Sequence, residues 1–118
     1  MSTKKATDTT STTVPNTLSS VNQVILVGRL TADPELRTTS AGPVARLRVA
    51  TNDTTPAEFH DIVLWGDDAE HIVRTFGKGS PVRVTGRLRT RDWTGRDGGA
   101  RRTTEIVAES VDAYVRHA

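Results

Sequence analysis

The chain has 118 residues and no cysteine, enough for one domain of the usual ~100–200 residues. The missing cysteines exclude disulfide frameworks, thiolate zinc sites and cysteine nucleophiles, and they fit a reducing cytoplasm. Formal net charge is only +2, yet residues 83–102 hold seven arginines against two aspartates, a local charge of +5 that leaves −3 for the rest; such an imbalance bears on partners rather than on fold.

No apolar run approaches the ~18–20 residues needed to cross a bilayer, and the N-terminus lacks the apolar centre of a secretory signal. Eleven of the first twenty residues are Ser or Thr. Such a stretch buries too little apolar surface to offset the entropy of ordering, so residues 1–20 are expected to be a disordered arm. The expected domain is 21–113, with a short tail over 114–118.

Val24-Ile25-Leu26-Val27-Gly28-Arg29-Leu30 is a β-rich run, apolar on nearly both faces. A strand of that kind is covered on two sides, by its own core and by something else, for which a second subunit is a candidate in a chain this small. Asp33-Pro34 breaks it, and Glu35 to Thr38 can continue it after a bend. A turn at Ser40-Ala41-Gly42-Pro43 leads into Val44 to Asn52, where Ala45, Leu47 and Val49 face one way and Arg46 and Arg48 the other. Asp53-Thr54-Thr55-Pro56 is a short hairpin connection.

In the next strand, Ala57 to Gly66, one face carries Phe59, Asp61, Val63 and Trp65 and the other His60, Ile62 and Leu64. Asp61 between the two aromatics argues that they are exposed. The period then changes: Ala69, Ile72, Val73 and Phe76 are at helical spacing, with Asp67 placed to cap the helix and Gly77 to end it.

Val82 to Trp93 follows. Val82, Val84, Gly86 and Leu88 form a small apolar face, opposite Arg83, Thr85, Arg87, Arg89, Arg91 and Trp93. A cationic row ending in an indole suits a polyanion with flat rings, namely single-stranded nucleic acid; the same pattern also describes an edge strand kept from aggregating by charge. A Gly-rich loop from Thr94 to Ala100 leads to a last strand, Arg101 to Val111. Three strands, one helix and two strands in an all-β domain fit the OB-fold, a five-stranded Greek-key barrel with its helix between the third and fourth strands.

Several stretches resemble the bacterial single-stranded-DNA-binding protein family, in family order and spacing. They are Asn22 to Leu30, Asp33-Pro34-Glu35-Leu36-Arg37, Ala50-Thr51-Asn52, Glu58 to Gly66, Lys78-Gly79-Ser80, Gly86 to Trp93, and Thr103 to Ala108. The resemblance implies an OB-fold homotetramer, built from dimers, that wraps single-stranded DNA without sequence preference and without catalysis. It implies base stacking on Phe59, Trp65 and Trp93, a subunit contact through the first strand (Val24, Ile25, Val27), and His60 at that interface.

The chain departs from the family pattern in four places. The loop Asp53 to Pro56 lacks a stacking aromatic, Thr38 and Arg102 stand where tyrosines are common, and the acidic, phenylalanine-tipped C-terminal motif is missing where the sequence stops at Tyr114-Val115-Arg116-His117-Ala118. Recruitment of enzymes through such a tail is therefore not expected. A paralogue or a phage or plasmid version stands beside the housekeeping protein as a reading.

The arginines expected to meet phosphates are Arg87, Arg89 and Arg91, flanked by Arg96, Arg101 and Arg102, with Arg46 and Arg48 behind them. Fewer rings with the same charges imply binding that is weaker and steeper in salt, carried mostly by the arginine row. No catalytic constellation, metal site or cofactor is expected. The expected role is protection of single strands in replication, recombination or repair, in the cytoplasm at the nucleoid. An RNA-binding OB module, or an assembly module with weak DNA binding, are the alternatives.

Overall fold

The structure is a computed structural model that describes residues 19–115. Most of the expected arm, and Arg116 to Ala118 of the tail, lie outside the described residues. Six strands and one helix follow in order: β1 (Val24–Leu30), β2 (Glu35–Thr39), β3 (Gly42–Thr51), β4 (Glu58–Trp65), α1 (Asp68–Thr75), β5 (Pro81–Thr94) and β6 (Ala100–Ala113). β1 and β2 both run antiparallel to β3, Leu30 opposite Val49 and Glu35 opposite Arg46, so they form one wall bent at Thr31 to Pro34. The six segments thus make the five walls expected from the sequence.

The sheet closes on itself in the order β1, β5, β6, β4, β3 and back to β1. All pairings are antiparallel except β4 with β6, where Ile62 lies opposite Ile106 and Val63 opposite Val107. This ring-closed sheet with one helix is the OB-fold. Closure needs tight approaches, and two glycines supply them. A Cβ at Gly28 would collide with the Ala50 carbonyl oxygen where β1 crosses to β3, and one at Gly86 with the Val107 carbonyl oxygen. Gly86 also marks a one-residue slip of register between β5 and β6 that leaves Glu109 without a partner. Such a bulge bends and coils a strand.

The core is aliphatic and slender: Ile62, Val49, Val82 and Val84 are its largest fully buried side chains, joined by Leu30, Leu47, Leu64 and Ile106. Ala69 and Ile72 of α1 insert into it, with Val73 and Phe76 packed at its edge. The two ends of α1 differ from the sequence reading. Asp67 makes no side-chain cap; the Ala69 amide instead donates to the Gly66 carbonyl at 3.0 Å, a turn that Gly66 permits with φ of 102°. The helix ends because Phe76 turns extended (φ −113°), before Gly77 is reached, and the Gly77 amide goes to Ser80 Oγ at 3.0 Å.

Candidate nucleic-acid interface

Pairing of strands decides which candidate residues share a face. In β4 the alternation leaves Phe59 and Trp65 55% and 41% exposed, with Asp61 exposed between them and Ile62 and Leu64 turned into the core. Val63, on the same outward side, is buried. Opposite them on β3 stand Ala50 (to Phe59), Arg48 (to Asp61), Arg46 (to Val63) and Val44 (to Trp65). On the β5–β6 hairpin the outward pairs are Arg87 with Val107, Arg89 with Glu105, Arg91 with Thr103, and Trp93 with Arg101. Because Val63 lies beside Val107, these two sets form one continuous face. It unites Phe59, Trp65 and Trp93 with Arg46, Arg48, Arg87, Arg89, Arg91 and Arg101. Arg96 sits in the tip of the hairpin. Arg102 does not join them: it lies opposite Asp92, on the reverse side of the ribbon.

Each ring is held in a defined way. Trp93 Nε1 donates to Thr103 Oγ1 at 2.8 Å, which lays the indole across the hairpin and leaves it 44% exposed. The Arg48 guanidinium stands 5.2 Å above the Phe59 ring centroid, within reach of a cation–π attraction, and 3.9 Å from Asp61.

The electrostatics correct the picture of an uncompensated arginine row. A strand's own alternation says nothing of its neighbour, and the neighbour here brings an acid. Glu105 of β6, 6% exposed, accepts from Arg89 Nη2 at 2.9 Å through Oε2 and from Arg91 Nε at 3.0 Å through Oε1. Burial alone would push its carboxyl up. The hydrogen bonds from Arg91 and Arg89, with the charge of both, outweigh that and hold it below the ordinary carboxylate range. Arg101 pairs with Asp97 and Arg102 with Asp92, each at 2.9 Å, in exposed positions. Among the described residues Arg46, Arg87 and Arg96 have no acidic partner within 4.0 Å. The centre of the face is a depression of about 190 Å³ lined by Arg46, Arg48 and Arg91 against Asp61 and Glu105. That is smaller than the ~300 Å³ or more of a small-molecule pocket, and it suits an open groove.

Two further residues fix the platform. Asn22 bridges to the Leu88 backbone twice, its Nδ2 donating to the carbonyl at 2.8 Å and its Oδ1 accepting from the amide at 2.9 Å. This continues the β1–β5 ladder by one rung and braces β5 where the two-stranded hairpin leaves the barrel. Asn22, Thr103 and Glu105 were not among the residues expected at the site. The signal for Glu105 was its place in the outward alternation Thr103, Glu105, Val107.

The first strand splits differently from the sequence reading. Ile25 and Val27 project outward, 52% and 43% exposed, whereas Val24 is half-buried and packs against the core with Leu26. His60 lies half-buried beside that stripe, Nε2 3.0 Å from Thr51 Oγ1, and lines one shallow depression together with Ile25 and Val27. Among the described residues no cluster of three metal-ligating side chains is formed, and no helix is long and apolar enough to cross a membrane.

Comparison with known proteins places this architecture. The profile of the Single-strand binding protein family matches residues 21–114, which contain all six strands and the helix. The chain is 46% identical over 99 residues to Single-stranded DNA-binding protein 3 of Listeria innocua, covering 77% of this chain and 62% of that one. It is 42% identical to the Single-stranded DNA-binding protein of Oceanobacillus iheyensis over the same shares, and 41% identical to Single-stranded DNA-binding protein 1 of Staphylococcus aureus, covering 64% of the latter. The chain therefore spans less than two thirds of the length of these relatives. Barrel, helix and matched residues coincide from end to end, and the chain belongs to the single-strand binding protein family.

Proposed function

We propose that this protein is a non-catalytic binder of single-stranded DNA that covers exposed strands in replication, recombination or repair, in the cytoplasm at the nucleoid. The observation that carries the reading is the single face on which three exposed rings, Phe59, Trp65 and Trp93, stand among six arginines. Rings of this kind stack on bases, at ~1–3 kcal/mol for each base, and tolerate every sequence because every base has a π-face. The arginines neutralise phosphates and release condensed counterions. The acids on the face direct the phosphates to the guanidinium groups that have no acidic partner, Arg46, Arg87 and Arg96, and leave the rings to the bases.

The outward Ile25 and Val27, with His60 beside them, support assembly of the chain into dimers and of dimers into a homotetramer. An uncovered apolar stripe on a short strand is stabilised by a second copy. Titration with oligo-dT at two salt concentrations tests the function: quenching of Trp65 and Trp93 fluorescence and weaker binding at the higher salt are expected. No quenching and no salt-sensitive binding would refute it. An equal-length RNA oligomer that outcompetes oligo-dT would favour an RNA-binding role.

A further inference from the structure

Glu105 is the only buried carboxylate among the described residues, and it lies under the basic face. Acids are almost never fully buried unless paired, and both oxygens of this one are engaged by the arginines above it. The pairing sets the arginines' posture at some cost to one of them: Arg89 reaches Glu105 through Nη2, while its own Nε is buried and has no acceptor. An unpaired buried donor is unfavourable, so the carboxylate fixes where this guanidinium points. The exposed pairs Arg101–Asp97 and Arg102–Asp92 differ in kind. Their acids can swing into solvent when a phosphate arrives, and such pairs contribute little. Glu105, wedged in β6, cannot leave.

We propose that Glu105 is a resident competitor of the DNA phosphates. It holds Arg89 through Nη2 and Arg91 through Nε and offsets one of their two charges, so that a bound strand is released more readily than from a bare arginine pair. The inference rests on the reading of this face as a single-stranded-DNA surface. It makes Glu105 a positioning residue that limits affinity, rather than a contact that adds to it.

The test compares Glu105→Gln with Asp92→Asn in oligo-dT titrations across a range of salt. Both variants add one unit of charge, but Asp92 lies on the reverse side of the hairpin. Glu105→Gln is expected to tighten binding roughly three- to tenfold at low salt, as removal of a close like charge should. It is also expected to steepen the salt slope by up to ~0.7, the value of one more phosphate contact. Asp92→Asn is expected to change affinity by less than about twofold, its site being exposed and screened. Weaker binding by Glu105→Gln with an unchanged slope would overturn the proposal, and so would equal tightening by both variants.

Should Glu105→Gln fail to fold, the double variant Arg89→Gln/Glu105→Gln decides. It keeps the wild-type net charge and removes the buried pair together. Binding within about twofold of wild type is expected, because the two charges cancel; a loss of more than about tenfold would overturn the proposal. A wild type without affinity for oligo-dT refutes the DNA reading itself, whereas wild-type binding that Glu105→Gln weakens refutes only the role of Glu105.

Discussion

Replacing Trp93 by alanine removes one of the three rings proposed to stack on bases while sparing the barrel. The indole stands at the end of β5, 44% exposed, tied to the hairpin by its hydrogen bond to Thr103 and absent from the core cluster. One lost base stack is worth ~1–3 kcal/mol, which weakens each site by about 5- to 150-fold. The hydrogen bond that disappears with it contributes about 0.5–1.5 kcal/mol to the fold, so thermal melting should shift by only a few degrees. Trp93→Phe keeps a π-face while losing the hydrogen bond and part of the ring area, and it should bind within about threefold of wild type. Fluorescence anisotropy of labelled oligo-dT measures both variants without relying on the tryptophan that has been removed. Repeating it with oligo-dC and a mixed sequence checks that the loss is uniform. Unchanged affinity in Trp93→Ala, or a loss confined to one sequence, would refute stacking as the role of this residue.

The salt dependence should be gentler than an uncompensated arginine row implies. If only the acid-free Arg46, Arg87 and Arg96 meet phosphates, the slope of log affinity against log salt is about −2 per subunit, and titration over a salt series that gave a slope beyond about −5 would show that the ion pairs open on binding. The proposed tetramer predicts that Ile25→Lys combined with Val27→Lys gives monomers in sedimentation velocity at micromolar concentration, where the wild type is larger; an unchanged mass would rule out β1 as the contact. Glu105, whose carboxyl is held low in the folded state, contributes stability that is fully present above its ordinary value of about 4.5 and lost as pH falls through the lower folded value. Melting temperatures of wild type and Glu105→Gln should therefore converge below that point and separate above it, and a constant difference across the acid range would contradict the pairing.

The fold was legible because each local signal agreed with the barrel. Alternation in β3, β4 and β5 marked their faces, the switch to helical spacing at Ala69 to Phe76 marked α1, and turn residues separated the strands. The same alternation placed Phe59 and Trp65 outside, since Ile62 and Leu64 already filled the inside. What stayed hidden was what lies between strands. Glu105 is remote from Arg89 in sequence and meets it only through the β5–β6 register, so the arginine row read as bare when a carboxylate supports it. Arg102 read as a flank of the basic face, but parity with Asp92 puts it behind the hairpin. β1 is apolar on both sides, and only its ring closure on β5 shows that Val24 and Leu26 are on the core side. The helix ends were misread for a related reason: Asp67 and Gly77 have the chemistry of caps, yet the turn at Gly66 and the extended Phe76 set the boundaries first.

The central claim is that exposed rings bind the faces of unpaired bases, and a duplex buries those faces in its own stack. Competition between oligo-dT and a duplex of equal length, at one salt concentration and with intrinsic tryptophan fluorescence as the signal, tests this most directly. The account predicts that the single strand quenches Trp65 and Trp93 and that the duplex, even in excess, neither quenches them nor displaces it. A duplex that competes on equal terms would show that phosphate charge alone drives binding, and would contradict the account.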